Sequence, residues 1–353
     1  MALKWSWAFG GETPAQMIAM GWGLSSNAAH NATTSDPAYQ YTYTGSPTRY
    51  SLGIDPDQHT SGVDLPAPAC AGVTQGWVQV AVKADVASGY DTGSKSVIRV
   101  VGSGSGTVIE VYYNPDGSLV LEVDNNFKAS TSPFDFSTWK VVALQWDMSA
   151  DPWRARLWVD GVAVTAEFTD ARTAQTGASI AVAPPGPDTN AISAWIAQVI
   201  VWDDYADSGA NPYYVTRVEP TSDGTNIGTW TPSTGADDFA VVDSPFDDTT
   251  YTEESAPSAL DRVEVTTSSL GTATGVTPAS VQGVTAHGFS EGQAITARTV
   301  LGDGGATEAN GDTAAISATT TTYTYATSVN APSDASAWEA TDTLDLIYEV
   351  VTV

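Results

Sequence analysis

The chain has 353 residues, enough for two or three domains with a sizeable core. It carries 13 Lys and Arg against 41 Asp and Glu, a formal net charge of −28. A field of that sign repels nucleic-acid phosphates and anionic membranes, so neither is a main partner. The carboxylates are dispersed, as on a solvated surface. Adaptation to salty surroundings, where charge is screened, and cation binding are the other readings of the same charge. Cys70 is the single cysteine, so no intrachain disulfide is available to the fold. Its surroundings, PAPACAG, read as a loop, and the thiol reads as a small buried group rather than a nucleophile. The stretch MALKWSWAFGG lacks the apolar core of a signal peptide. No apolar run approaches the roughly 20 residues of a membrane span. The expectation is a protein made and folded in a cytoplasm, whether or not it acts outside the cell.

The 31 Gly and 19 Pro punctuate short β-branched and aromatic runs, which predicts an all-β chain. Trp5 to Phe9 opens it as an edge or closing strand. Met17 to Trp22 is apolar and reads as a short strand or a turn, and residues 24–38 as an exposed loop. Tyr39, Tyr41 and Tyr43 alternate with Gln40, Thr42 and Thr44, which puts three tyrosines on one strand face. They read either as aromatic sheet packing or as a platform on which sugar rings stack. Strands follow at Tyr50 to Ile54, Trp77 to Lys83, Val97 to Val101 and Val108 to Tyr113. The tight turn NPDG at 114–117 then leads into Ser118 to Val123.

The stretch Phe136 to Gly161 organises this half. Trp139 to Trp146 is apolar on both faces, as in a strand buried on both sides. MSADPW turns the chain at Asp151–Pro152. Arg154, Arg156, Trp158 and Asp160 then alternate with Ala155, Leu157, Val159 and Gly161. Asp160–Gly161 is a two-residue hairpin signal, because that turn needs positive φ. A further strand is predicted over Val162 to Phe168, and Ala194 to Trp202 is the hydrophobic strand that closes a sandwich.

This hairpin, W-x-x-V-A-L at Trp139–Leu144 followed by R-L-W-V-D-G at Arg156–Gly161, resembles the concanavalin A-like (laminin G-like) jelly-roll family. The late strand I-A-Q-V-I-V-W-D-D, Ile196–Asp204, is similar to one in such domains of phage and bacterial proteins. The resemblance covers residues 1–205 and implies an antiparallel jelly-roll sandwich. Residues 206–258 read as a connecting segment, and 259–353 as a second, smaller β domain for assembly. Its strands are expected at Arg262 to Thr266, Val276 to Ala286, Gln293 to Leu301, Tyr323 to Ala326 and Leu344 to Val353. The elements F-A-V-V-D and D-D-T-T-Y (239–251), A-I-T-A-R-T (294–299), GDGG (302–305), T-T-Y-T-Y (321–325) and Trp338 resemble the C-terminal region of phage virion proteins.

Chemistry is sparse along the chain. Laminarinase-type hydrolases of this fold carry E-x-D-x-x-E on one strand. The nearest stretch here has Glu122 and Asp124 but Phe127 in place of the third carboxylate, so two close carboxyls are not supplied locally. His30, His59 and His287 lie in loop-like stretches without metal-ligand spacing or a serine elbow. Asp55, Asp57, Gln58, Asp203, Asp204, Asp247 and Asp248 are oxygen donors for a structural Ca²⁺, which wants about six or more oxygens from converging loops. Solvated acidic turns are the competing reading. Trp139, Trp146, Trp158 and Trp195 read as core. Trp153, beside the Asp151–Pro152 turn, reads either as rim packing or as an exposed ring for a ligand or neighbouring subunit.

Together these features predict a non-enzymatic structural protein of a tailed-bacteriophage virion. It would be a tail-fibre or tail-tip component, assembled as a homotrimer with other virion proteins. Its jelly roll would contact host cell-surface polysaccharide through Tyr39, Tyr41, Tyr43 and Trp153. No catalytic residue, metal ligand or cofactor is assigned. Two readings stand beside it: a capsid decoration or head-fibre protein without glycan binding, and a polysaccharide-active enzyme of the same sandwich fold.

Overall fold

A computed structural model of the chain describes residues 3–8, 14–24, 33–34, 42–43, 46–47, 51–54, 63–84, 95–103, 108–114, 116–124, 126–129, 132–175, 177–182, 194–206, 215, 218, 220–225, 228–235, 252–253, 255–270, 280–287, 294–319 and 321–353. The protein is all-β, with antiparallel sheets, and its first part is a jelly-roll sandwich. The chain divides into two compact units, Met1–Tyr43 with Pro47–Val215, and Thr44–Ser46 with Thr216–Val353.

In the first unit two sheets hold the described strands other than Thr42–Tyr43, which pairs with Ser46–Pro47. The nine-stranded sheet runs through Val162–Ala163, Trp153–Val159, Lys140–Asp147, Gln75–Ala84, Ala194–Trp202, Ser51–Ile54 and Thr33–Thr34. Leu3–Ala8 also pairs with Ala194–Trp202, and Phe168–Asp170 with Trp153–Val159. The seven-stranded sheet runs Asn126–Ala129, Leu119–Val123, Val108–Tyr113, Lys95–Gly102, Ala178–Val182, Val63–Asp64 and Gly23–Leu24. Side chains alternate across each strand, so one set from each sheet meets in the core. Val78, Val80, Val142, Leu144 and Trp146 come from the first sheet. Ile98, Val100, Ile109, Val111, Leu119 and Leu121 come from the second, and all are buried.

The central hairpin forms as its sequence dictates. Lys140–Asp147 is buried along nearly its whole length, and Trp153–Val159 alternates buried with half-buried residues. Val159 pairs with Val162 across Asp160 and Gly161, whose φ values of 48° and 78° give the positive-φ turn. Asp160 also accepts hydrogen bonds from Val141 N–H (2.9 Å) and the Lys140 ammonium (3.1 Å), which clamp the turn to the neighbouring strand.

Several expectations are corrected. Met17 to Trp22 is not a strand: Pro14–Ala19 is a short helix, with proline pre-set for its first turn. Met17 and Met20, three residues apart, are both buried. Cys70 is not in a loop but ends the short helix Ala67–Cys70. Its thiol is buried, and that burial, foremost, pushes its pKa up to about 11. The single strand expected over Val162 to Phe168 is two short ones, Val162–Ala163 and Phe168–Asp170. His287 is not in a loop but ends the strand Val281–His287. Trp139, Trp158 and Trp195 are half-buried rather than core. His30, His59, Asp55, Asp57, Gln58, Asp247 and Asp248 lie outside the described residues.

In the second unit, six described strands form one sheet: Ser222–Asp223, Arg262–Thr266, Asp345–Thr352, Thr296–Gly302, Ala309–Asn310 and Ala314–Ala315. Val281–His287 pairs with Thr322–Ser328. Leu270, Val281, Leu301, Ala326, Ala331, Trp338 and Leu344 form its core. Glu349 has no exposed surface and is gripped by the guanidinium groups of Arg262 and Arg298. Arg262 also makes two bonds to Glu308, at 2.7 and 2.9 Å. A buried carboxylate is tolerable only when opposite charge surrounds it in this way.

Gly76 tests the tightness of the central sheet. Its φ is 149°, and a Cβ there would lie 1.8 Å from the Trp202 backbone oxygen. Gly76→Ala is expected to cost on the order of 3 kcal/mol, from strain and a backbone clash that no rotamer relieves. At Gly72 (φ 73°) a Cβ meets nothing within 4 Å, so Gly72→Ala should cost only about 1 kcal/mol. Urea denaturation of both variants checks the contrast.

Candidate functional site

The site begins with a tight loop. Between Val108–Tyr113 and Leu119–Val123, Gly117 N–H donates to Asn114 O (2.9 Å) and Asn114 N–H to Ser118 O (2.8 Å). Asp116 Oδ1 accepts from Ser118 N–H (2.8 Å) and Ser118 Oγ (2.7 Å), and Gly117 takes φ 88°. This loop sets Tyr113 opposite Leu119 and therefore Glu110 opposite Glu122. Ile109, Val111, Leu119 and Leu121 enter the core, so Glu110, Tyr112, Val120 and Glu122 emerge on the outer face.

The next strand adds Arg99 opposite Glu110 and Ser96 opposite Tyr112, with a register shift between Val111 and Tyr112. Beyond it, Ala181 lies opposite Arg99, and Asp64 opposite Ala181. A row of polar groups thus crosses the outer face of the seven-stranded sheet. Arg99 Nη2 donates to Glu110 Oε1 (2.7 Å), and the Tyr112 hydroxyl donates to Glu110 Oε2 (2.8 Å). Glu110 is 3 % exposed and Tyr112 6 %, while Arg99 and Glu122 are half-buried. Ser96 is fully buried, and its Oγ has no hydrogen-bond partner.

Electrostatics fix the role of Tyr112. Burial first, then its hydrogen bond to Glu122 and the charge and hydrogen bond of Glu110, push its pKa far above the usual phenol range. It is a hydrogen-bond donor at any physiological pH. Asp64, at the other end of the row, is raised above the usual carboxylate value by burial, against the lowering charge of Arg99. A guanidinium flanked by carboxylates can bind a polyhydroxylated molecule, whose hydroxyls both donate and accept.

The other sheet's outer face is closed. Leu3, Trp77, Ala143, Ile200 and Trp202 form an apolar layer there, with Trp158 and Val215 against it. At its edge Arg154 lies 4.2 Å over the Tyr205 ring and Arg156 4.7 Å over Trp158. Gln145 Nε2 donates to Tyr205 O (2.7 Å), Trp158 Nε1 to Gln145 Oε1 (3.3 Å), and the Tyr205 hydroxyl to Glu167. Arg154 also pairs with Asp147. Burial works against the Asp147 carboxylate, but Ser149 and Arg154 hold its pKa below the usual value. This patch is internally bonded from end to end.

The sequence-predicted site residues do not come together in the described part of the structure. Tyr39 and Tyr41 lie outside the described residues, and Tyr43 ends a two-residue strand, Thr42–Tyr43. Trp153 is 1 % exposed and donates its indole N–H to Thr173 O (3.1 Å), so it offers no ring face to a sugar. It shares the inward parity of Ala155 and Leu157, which explains its burial. Asp203 and Asp204 are half-buried, and Asp204 Oδ1 accepts the Ala206 N–H (2.9 Å). Among the described residues no group of three or more His, Cys, Asp or Glu is arranged to hold a metal ion. Glu110 and Glu122 face each other on neighbouring strands, a pairing hidden from a search along one strand.

No family model matches the chain, and no curated protein matches its sequence. Several solved structures are similar to it. Domain 4 of AbnA, a GH43 extracellular arabinanase from Geobacillus stearothermophilus, in complex with arabinotriose, is 14% identical with a TM-score of 0.38, covering 59% of this chain and 95% of that one. The CBM40 of the Ruminococcus gnavus IT-sialidase, bound to α2,3-sialyllactose, is 15% identical with a TM-score of 0.34, covering 45% and 92%. The Trypanosoma rangeli sialidase in complex with the inhibitor DANA is 10% identical with a TM-score of 0.35, covering 49% of this chain and only 27% of that one. None of the three is described as a virion component. Likeness at this level assigns no activity to the chain. It does overturn one expectation: glycan-cleaving proteins stand among the similar structures, so the exclusion of an enzyme is withdrawn.

The cluster makes a stability contrast. Tyr112→Phe removes one hydroxyl and should cost about 1 kcal/mol. Arg99→Ala leaves the buried Glu110 without its cation and should cost about 3 kcal/mol. Denaturation midpoints of the two variants check this, and equal losses would contradict the assigned geometry.

Proposed function

We propose that the first unit binds glycan on the outer face of its seven-stranded sheet, through Arg99, Glu122 and the Tyr112–Glu110 pair behind them. The observation that carries this is the contrast between the two outer faces. One presents an apolar layer, whereas the other holds a guanidinium and carboxylates in fixed mutual geometry, with Arg99 and Glu122 partly open to solvent. The wider setting is a virion component of a tailed bacteriophage, of the tail-fibre, tail-tip or capsid-surface type, assembled as a homotrimer. The support for that setting is the resemblance of the hairpin Trp139–Gly161 and of the stretches between 239 and 338, together with the strongly acidic composition.

A second reading rests on Glu110 facing Glu122. Two carboxyls on neighbouring strands are the minimum apparatus of a glycoside hydrolase, one acting as acid and the other as base or nucleophile. In that case the chain is a polysaccharide-active enzyme of the same sandwich.

Titration of the whole chain with an oligosaccharide panel tests the proposal. Saturable binding is expected, and Glu122→Ala should weaken it by about tenfold, the loss of one charge-assisted contact. Binding unchanged in that variant would move the site elsewhere. Release of reducing ends, lost in both Glu110→Gln and Glu122→Gln, would select the enzymatic reading. Antibody labelling of intact particles and a mass measurement in solution test the virion setting and the trimer.

A further inference from the structure

The ligand's charge class follows from the same face, and this inference rests on the glycan-binding reading. On these strands the described charged side chains of the face are Asp64, Arg99, Glu110 and Glu122, one guanidinium against three carboxylates. The guanidinium is engaged with Glu110 at 2.7 Å. The Tyr112 hydroxyl already directs its proton to a carboxylate. The patch is therefore rich in acceptors and negative, and the −28 charge of the chain adds a field of the same sign. An anionic ligand entering it meets like charge on partly desolvated carboxylates. A ligand that brings N–H or O–H donors meets acceptors already held in place.

Ser96 is an independent observation. Its Oγ is fully buried, lacks any hydrogen-bond partner, and lies opposite Tyr112 in the register of this face. Buried hydroxyls in native folds are rarely left unsatisfied. An unspent hydroxyl beside a cluster whose other members are bonded marks a place where a bound donor completes the network.

We infer that this face selects sugars bearing free amines, with neutral sugars second, and that it rejects sialic and uronic acids. An ammonium group would sit against the half-buried Glu122 carboxylate as a charge-assisted donor, with the enclosed Glu110 carboxylate behind it adding to the attraction. Specificity here is as much repulsion of the wrong charge as attraction of the right one.

Three β-linked tetramers separate the outcomes: glucosamine (cationic), glucose (neutral) and galacturonic acid (anionic), titrated calorimetrically into the full chain. The glucosamine tetramer should bind tightest, by about tenfold over the glucose tetramer, and the galacturonate tetramer should not bind. Glu122→Gln should remove most of that preference. Glu339→Gln, an exposed change in the other unit, should leave it intact. Equal affinity for the glucosamine and glucose tetramers overturns the inference. So does tighter binding of galacturonate, or an equal effect of Glu339→Gln, which would reduce the preference to the general field. These three results leave the glycan site itself standing. Failure of all three sugars and of the wider panel takes down both.

Discussion

Register is the constraint on which the site depends. Strand side chains alternate with a period of two, so a slip of one residue exchanges the two faces. The loop Asn114–Ser118 holds Tyr113 against Leu119 through its backbone and Asp116 hydrogen bonds. A slip would drive Glu110 and Glu122 into a core of valine, leucine and isoleucine and would expose Val111 and Leu121. The cost of burying carboxylates without partners makes that arrangement inaccessible. The same choice that fills the sandwich therefore assembles Arg99, Glu110, Tyr112 and Glu122 on the other side. The geometry of the candidate site comes as a by-product of core packing.

The two sheets use their outer faces differently. The nine-stranded sheet keeps apolar residues on both faces, and its strand Lys140–Asp147 is enclosed nearly throughout. Its outer face is stability, carried by Trp77, Ile200 and Trp202 with Leu3 beside them. The seven-stranded sheet sends apolar residues inward and sets Arg99, Glu110 and Glu122 on its outer face among Val120, Tyr112 and Ala181. The second unit shows a third solution to the same problem. Glu349, fully enclosed, is neutralised by Arg262 and Arg298, and the hydroxyls of Thr285, Thr299 and Thr324 satisfy one another at 2.6 to 3.1 Å. These carboxylate and hydroxyl groups are closed upon themselves, whereas the Ser96 hydroxyl has no partner.

How much of this can be read in the sequence depends on how local the signal is. Val108–Tyr113 and Ala194–Trp202 stand where their apolar runs predict them, and Asp160–Gly161 turns as such a pair must. Pro14–Ala19 is not legible as a helix, because six residues give too little periodicity to outweigh an apolar run. Trp153 could have been placed by parity: it is two residues before Ala155, on the inward face, and the neighbouring turn made it look exposed. The Glu110–Glu122 pair is non-local, since its members lie on different strands. The signal was nonetheless present. Counting outward from the turn at 114–117, Tyr113 meets Leu119 and Glu110 meets Glu122. Arg99 and Ser96 are a step harder, because the shift beside Tyr112 breaks the count.

The most direct test of the account is a crystal structure of the chain with its tightest-binding oligosaccharide. The account predicts sugar density against Glu122 and Arg99, with a ligand donor within hydrogen-bond distance of Ser96 Oγ. Density on the Arg154–Tyr205 patch, or on the second unit with the seven-stranded face bare, would contradict it.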